Sequence, residues 1–190
     1  MVKKATLIIV NGLPASGKTT LARRLAADAS LPALSRDGMY ETLYDAFDCQ
    51  HNGEPPLLGQ ASFTMLYYVT VSLLAAGKSL IVEGFFGRPE LRSAEFLNLQ
   101  ADYGFEPLQI VCRVDGEVLL KRIVVRAGSR ERHSGHHDLE HLAANRERLL
   151  RGDLAPLALG GQLIEIDTTT PDSFDYAALL QQVRAALPTT

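Results

Sequence analysis

The sequence predicts an α/β protein built on a parallel sheet of about five strands with helices on both faces. Short apolar runs alternate with longer amphipathic segments along the whole chain, a pattern typical of successive strand–helix–strand units. The glycine-rich stretch GLPASGKT follows the first apolar run directly. Ligands of such sheets bind at the carboxyl ends of the strands, so the residues after each strand are the candidates for function.

Five apolar runs carry the strand pattern. The first, ATLIIV at residues 5–10, is continuous and rich in β-branched residues, which indicates a strand buried on both faces. The other predicted strands cover residues 31–35, 79–83, 107–114 and 162–168.

Helical spacing of apolar residues fills the intervals. The predicted helices cover residues 17–29, 37–47, 61–77, 88–104, 116–128, 139–152 and 172–187. The segment 61–77 is apolar on most sides and ends in Gly77, which indicates a buried helix and not a membrane span. Residues 51–59 are turn-rich and predict a loop, and the polar segment 129–138 predicts a mobile flap.

Composition and charge narrow the class of protein. The 190 residues are 46% hydrophobic and 22% charged, so we expect one globular domain over 1–190 with a small lid at roughly 127–138. The formal net charge of -3 disfavours long nucleic acid as a partner, although a local basic patch stays possible.

The sequence contains two cysteines, and they do not form a CxxC motif. The apolar run at 5–10 is too short for a secretory signal. Together these features predict a cytoplasmic protein with no membrane partner. The sequence leaves monomer and homodimer open.

The stretch GLPASGKT matches G-x-x-x-x-G-K-[ST] between a predicted strand and a predicted helix. Glycines let such a loop surround a phosphate with backbone N–H groups, at the positive end of the following helix. We expect Lys18 to reach the terminal phosphates of a nucleoside triphosphate and the Thr19 hydroxyl to bind Mg²⁺. The alternative is a glycine turn that only caps the helix, with Lys18 solvated. The predicted nucleotide site comprises Gly12, Leu13, Pro14, Ala15, Ser16, Gly17, Lys18, Thr19 and Thr20.

Phosphate loops occur in proteins that hydrolyse nucleotides and in kinases. The guanine-reading N-K-x-D of GTPases is absent from the sequence, and large ATPases usually need a longer chain. A small kinase needs an acceptor pocket, a carboxylate near the acceptor hydroxyl and arginines on a flap. The sequence offers candidates for all three.

Two carboxylates follow predicted strands. Asp37, directly after the second strand, is expected to accept the proton of an acceptor hydroxyl or to orient that hydroxyl; the alternative is a helix cap. Glu83, which ends the third strand, is expected to hold Mg²⁺ through water or to contact the acceptor; an ordinary hydrogen-bonded carboxylate explains it equally well.

Arginines follow the third and fourth strands. Arg122 and Arg126 lie four residues apart on one predicted helix, and Arg130 follows in the flap. All three arginines are expected to stabilise the transferring phosphoryl group; the alternative is a solvated helix face. Arg88 and Arg92 are candidates either for holding an anionic acceptor or for salt bridges.

The flap histidines His133, His136 and His137 lack the further ligands of a closed zinc site, so we expect them to be solvated or to contact substrate. The loop at 166–171, after the last strand, is expected beside a bound adenine or as a capping turn.

The stretches NGLPASGKTT, LSRD, VEGFFGRPELR and VDGEVLLKRIVVRAGSRERHSGHHD together resemble the AAA_33, polynucleotide-kinase-like and zeta-toxin-like P-loop kinases, with chloramphenicol phosphotransferase and gluconate kinase as relatives. The resemblance implies a P-loop NTPase three-layer sandwich with strand order 2-3-1-4-5. It places the acceptor-activating aspartate on Asp37 and the lid-helix R-x-x-x-R on Arg122 and Arg126. Polynucleotide kinases carry an arginine three residues after that aspartate; Tyr40 stands here, which argues against a nucleic-acid acceptor and suits a small, partly apolar one.

The sequence therefore predicts a kinase that uses ATP and Mg²⁺ to phosphorylate a hydroxyl of a small molecule. The predicted catalytic residues are Lys18, Asp37, Arg122, Arg126 and Arg130, and the predicted acceptor-binding residues are Asp37, Tyr40, Glu83 and Arg88. The alternatives are a nucleoside or polynucleotide 5′-hydroxyl kinase, and a regulatory protein that binds ATP and transfers nothing.

Overall fold

A computed structural model describes residues 4–130, 132–152 and 154–188. Five parallel strands form one sheet in the order β2-β3-β1-β4-β5, which confirms the predicted fold class and strand order. The strands are β1 Thr6–Gly12, β2 Ala33–Ser35, β3 Leu80–Gly84, β4 Glu106–Arg113 and β5 Gln162–Asp167.

Helices connect the strands in the described part of the chain. They are α1 Lys18–Ala29, α2 Arg36–Ala46, α3 Cys49–Asn52, α4 Leu58–Ala75, α5 Pro89–Tyr103, α6 Gly116–Ala127, α7 Asp138–Leu150 and α8 Tyr176–Ala186. The prediction of a loop over 51–59 was wrong at both ends, because α3 extends to Asn52 and α4 begins at Leu58. Burial explains this, since Leu58 packs against Cys49 under α2. The last helix begins later than predicted because Asp175 caps it by accepting a hydrogen bond from the Ala178 N–H.

The core lies on both faces of the sheet. Alternate residues of β1 serve opposite faces: Ile8 and Val10 pack with α1 and α8, whereas Leu7 and Ile9 pack with α4 and α5. Every residue of β1 is buried, which explains its continuous apolar run.

One helix among the described residues, α4, is long and apolar enough by length and composition to cross a membrane. In this fold its residues Phe63, Leu66 and Leu74 are buried in the cluster that covers one face of the sheet.

Close packing holds together α6 and α7, the two helices that the predicted lid connects. A Cβ added at Gly116, the first residue of α6, would lie 1.9 Å from the carbonyl oxygen of Leu150, at the end of α7. Only glycine permits this approach, so the start of α6 and the end of α7 are held together while the connecting segment lies at the opposite end of the pair.

Candidate active site

The backbone between β1 and α1 forms a tight loop at the carboxyl end of the central strand. Ala15 and Gly17 have left-handed conformations with φ of 66° and 85°, and the Ser16 N–H donates to the Leu13 carbonyl at 3.1 Å. A Cβ added at Gly12 would lie 2.4 Å from Ser16 Oγ. The loop therefore needs glycine at both glycine positions of the pattern, Gly12 and Gly17, as the phosphate-loop prediction requires.

The side chains of this loop fit a bound polyphosphate. Lys18 is 4% exposed, and no carboxylate of the described residues forms an ion pair with it. Ser16 Oγ is buried without a hydrogen-bond partner in the described structure. A buried ammonium group and a buried hydroxyl both need partners, and phosphate oxygens supply them. The Thr168 hydroxyl donates to the Ser16 carbonyl at 2.8 Å, which ties the loop to the end of β5.

Oxygen ligands suited to Mg²⁺ lie next to the loop. The Thr19 hydroxyl donates to both carboxylate oxygens of Glu83 at 3.2 Å, and the Ser35 hydroxyl donates to the same carboxylate. Glu83 is 3% exposed at the end of β3. Mg²⁺ prefers oxygen ligands and keeps several waters, so this hydroxyl–carboxylate pair fits the ion, directly at Thr19 and through water at Glu83.

Asp37 lies in the first turn of α2, and a different residue caps that helix. Ser35 is the cap, since its hydroxyl accepts from the Gly38 N–H at 3.1 Å. Burial opposes ionisation of Asp37, but the charges of Lys18, Arg36 and His136 outweigh it and hold the pKa of the carboxyl below its usual value. Asp37 is therefore an anion at neutral pH and can accept a hydrogen bond or a proton from a bound hydroxyl.

A cavity of about 490 Å³ connects the phosphate loop with Asp37. This volume suits a small ligand. Leu13, Pro14, Lys18 and Asp37 contribute to its walls, together with Phe63 and Phe85. Six arginines also line it: Arg36, Arg88, Arg92, Arg126, Arg132 and Arg148.

Two of these arginines share one carboxylate. Arg126 donates to Asp138 through Nε and Nη2, both at 3.0 Å, and Arg132 donates to the same oxygens at 2.8 and 2.7 Å. Asp138 is 8% exposed at the start of α7. Burial raises the pKa of this carboxyl, and the two guanidinium groups lower it further than burial raises it. Asp138 thus holds the guanidinium groups of Arg126 and Arg132 side by side at the cavity wall.

The segment between α6 and α7 rests on α2. The Tyr40 hydroxyl donates to the Gly135 carbonyl at 3.1 Å, and His136 and His133 contact Glu41 and Asp45 at 2.8 and 3.0 Å. The histidines bind different carboxylates, and the described residues contain no group of three or more His, Cys, Asp or Glu side chains that could hold a metal. They connect the lid segment to the helix that carries Asp37.

Of the predicted catalytic and acceptor-binding residues, the structure brings Lys18, Asp37, Arg88 and Arg126 to one cavity and places the other four elsewhere. Arg122 donates to the carbonyls of Thr168 and Thr169 at 2.9 Å, and Arg130 is exposed in the segment between α6 and α7. Tyr40 and Glu83 do not line the cavity and make the contacts described above. Roles for these four residues at the phosphates or the acceptor stay predictions.

Sequence reasoning missed Arg36, Arg148 and Asp138 as cavity residues. Arg36 directly precedes Asp37, so its position was a signal. No such signal existed in the sequence for Arg148 and Asp138, because their place at the cavity depends on how α7 packs.

The sheet order, the phosphate loop and the cavity beside it define a P-loop protein with the fold of the small kinases. The chain belongs to the AAA_33 family, whose profile, described as an AAA domain, matches residues 7–149. Uncharacterized proteins of Mycobacterium tuberculosis and Mycobacterium bovis are 31% identical over 131 residues, 64% of this chain and 26% of theirs. The chain thus spans about a quarter of the length of these curated relatives.

Solved structures resemble the whole chain. A candidate kinase from Chloroflexus aurantiacus is 39% identical, with a TM-score of 0.87 over 97% of this chain and 100% of its own. A sugar kinase from Janibacter and a gluconokinase from Sinorhizobium meliloti share the fold at 17% and 14% identity, with TM-scores of 0.60 and 0.55. The sugar kinase alignment covers 98% of this chain and 99% of its own, and the gluconokinase alignment 98% and 93%. These likenesses confirm the suspected group of P-loop kinases.

Proposed function

We propose that this protein is an ATP-dependent kinase that transfers the γ-phosphoryl group to a hydroxyl of a small-molecule acceptor. One observation carries the proposal: the buried Lys18 ammonium and the ionised Asp37 carboxylate line the same cavity. A phosphate donor on the loop and a hydroxyl at Asp37 would then meet within one enclosed space. The kinases of the same fold support this assignment.

Each residue has a role in this proposal. Residues 12–20 hold the phosphates of ATP, and Lys18 neutralises charge on the terminal ones. Mg²⁺, when bound through Thr19 and through water at Glu83, would neutralise further phosphate charge. Arg126 and Arg132 stabilise the charge that spreads over the transferring group. We also propose that residues 127–138 act as a lid that excludes water, since water would otherwise compete with the acceptor.

Asp37 acts on the acceptor. Its carboxylate orients the hydroxyl and takes the hydroxyl proton as the oxygen attacks the γ-phosphorus. The bond from phosphorus to the bridging oxygen breaks, and ADP leaves with that oxygen. The products are the phosphorylated acceptor and ADP, with the proton on Asp37 and then in water.

The test is an acceptor panel. ATP consumption would be measured with sugars, aldonates, aminoglycosides, chloramphenicol-like alcohols, nucleosides and 5′-hydroxyl oligonucleotides, and each product identified by mass spectrometry. We expect a small-molecule acceptor to be phosphorylated by the wild type and not by Lys18→Ala. A hit confined to nucleosides or oligonucleotides would favour a 5′-hydroxyl kinase. Tight ATP binding without transfer to any acceptor would favour a regulatory ATP-binding protein.

A further inference from the structure

The cavity carries far more positive than negative charge, although the chain as a whole is acidic. Six arginines and Lys18 line it, against two carboxylates, Asp37 and Asp138. The chain has a formal net charge of -3. A concentration of like charges in one enclosed space is unfavourable unless a ligand or a fixed anion compensates it.

Fixed carboxylates compensate four of the arginines. Asp138 binds Arg126 and Arg132. Arg36 is paired with Asp37, with 3.2 Å between Nη1 and Oδ1. A fourth, Arg92, donates to both oxygens of Glu95 at 2.9 and 2.7 Å.

Arg88 and Arg148 remain, and no carboxylate of the described ranges lies within ion-pair distance of either. Both line the cavity, and the Arg148 side chain contacts the backbone next to Arg88. Arg148 Nη2 donates to the Gly87 carbonyl at 2.9 Å, and that carbonyl belongs to the peptide bond that leads into Arg88. The Arg148 guanidinium also lies 5.3 Å from the centre of the Phe85 ring.

The topology places this pair on the acceptor side. Arg88 follows β3, which lies between β1 and β2 in the sheet, and Asp37 follows β2. Lys18 and the Asp138-bound arginines already serve the phosphate donor in the proposed function. Arg88 and Arg148 have no part in that role and are available to a second ligand.

We propose that Arg88 and Arg148 bind an anionic group of the acceptor, a carboxylate or a phosphate monoester, and thereby aim its hydroxyl at Asp37. The acceptor class is then a small hydroxylated anion. Calling this ligand the acceptor rests on the proposed function, whereas the anion site itself is testable without any transfer.

The first experiment measures anion binding by isothermal titration calorimetry. The protein, with and without a non-hydrolysable ATP analogue and Mg²⁺, is titrated with malonate, with uncharged malonamide and with inorganic phosphate. The analogue occupies the phosphate loop, so the titrated anion reports the second site. We expect malonate or phosphate to bind and malonamide not to, and the preferred anion distinguishes a carboxylate site from a phosphate site.

Variants locate the site. Arg88→Ala should weaken anion binding by about 10- to 100-fold, the usual effect of losing a hydrogen bond to a charged group. Arg148→Lys keeps the charge but loses the planar fork and should give a smaller loss in the same direction. Arg23→Ala removes an exposed arginine from α1 and should leave the affinity unchanged within about twofold. Absence of anion binding to the loaded wild type, or an equal loss in Arg23→Ala, overturns the proposal.

The second experiment compares matched acceptors, such as glucose, gluconate and glucose 6-phosphate, and ribose, ribonate and ribose 5-phosphate. We expect an anionic member to exceed its neutral partner in kcat/KM, Arg88→Ala to reduce that preference at least about tenfold, and Arg23→Ala to keep it. Preference for a neutral member overturns the anion site but leaves the kinase standing. Anion binding located at Arg88 without transfer to any acceptor overturns the kinase but leaves the anion site standing.

Discussion

Replacing Asp138 by Asn tests the arrangement of Arg126 and Arg132, the two arginines that bind Asp138. The carboxylate of Asp138 accepts hydrogen bonds from two atoms of Arg126 and two of Arg132, at 2.7 to 3.0 Å. The amide keeps the size of the side chain but removes the charge and converts one acceptor atom into a donor. Two guanidinium groups would then face each other without a carboxylate between them.

The size of the effect follows from burial. Removing one partner of a fully buried ion pair costs about 3–5 kcal/mol, and an exposed pair contributes about 0–1 kcal/mol. The side chain of Asp138 is 8% exposed, and those of Arg126 and Arg132 are 28% and 15% exposed. We therefore expect the free energy of unfolding to fall by about 2–3 kcal/mol, equivalent to a decrease of about 5–10 °C in Tm.

The pH dependence of stability gives the same prediction a second measurement. The pKa of Asp138 is lower in the folded protein than its unfolded value of about 3.9. Its contribution to stability is therefore present above pH 4 and is lost as the pH falls through the folded pKa. Asp138→Asn should lose stability relative to the wild type at pH 7, and this loss should shrink as the pH falls below about 4 toward pH 3.

Urea unfolding at pH 7 and pH 3 measures both quantities. The matched control is Glu140→Gln, which makes the same charge change in the same helix turn at a side chain that is 83% exposed, and which should change stability by less than about 0.5 kcal/mol. An Asp138→Asn protein as stable as Glu140→Gln at pH 7 would refute the reasoning.

Three further changes have defined outcomes. Gly12→Ala places a Cβ 2.4 Å from Ser16 Oγ, so ATP affinity by calorimetry should fall at least about tenfold; unchanged affinity would contradict the loop geometry. Phe86→Ala empties a fully buried site and should lower the free energy of unfolding by about 3–5 kcal/mol in urea; a loss below 1 kcal/mol would contradict that packing. Burial and the Arg132 charge lower the pKa of His136 despite its hydrogen bond to Glu41, so wild-type stability should fall as the pH drops below about 6.5. His136→Gln should reduce this pH dependence of stability. Equal pH profiles of stability for the wild type and His136→Gln would contradict the prediction.

The local parts of the site were predictable from the sequence. The phosphate loop is encoded by spacing within eight residues. Asp37 and Glu83 were proposed because Asp37 follows one predicted strand and Glu83 ends another. The strand order came from the resemblance and was confirmed by the structure.

The parts that depend on packing between distant elements were not predictable. Arg148 reaches the cavity through its bond to the Gly87 carbonyl, 61 positions away in the chain. The flap histidines gave no local sign of their carboxylate partners, because Glu41 and Asp45 lie on a helix some 90 residues earlier. Arg122 was expected at the phosphates from its helical spacing to Arg126 and from the resemblance. Nothing in the sequence indicated that its guanidinium donates to the carbonyls of Thr168 and Thr169, which approach it only in the folded sheet.

The measurement that tests the central claim most directly compares ATP binding with phosphoryl transfer in Asp37→Asn, using the acceptor that the panel identifies. Asp37 and Lys18 line the same cavity. In the proposed function the phosphate loop holds ATP without help from Asp37. The account predicts that the Kd for ATP changes less than about threefold, while kcat for transfer falls by about 10²- to 10⁴-fold, the usual contribution of a general base. Transfer at the wild-type rate by Asp37→Asn would contradict the account.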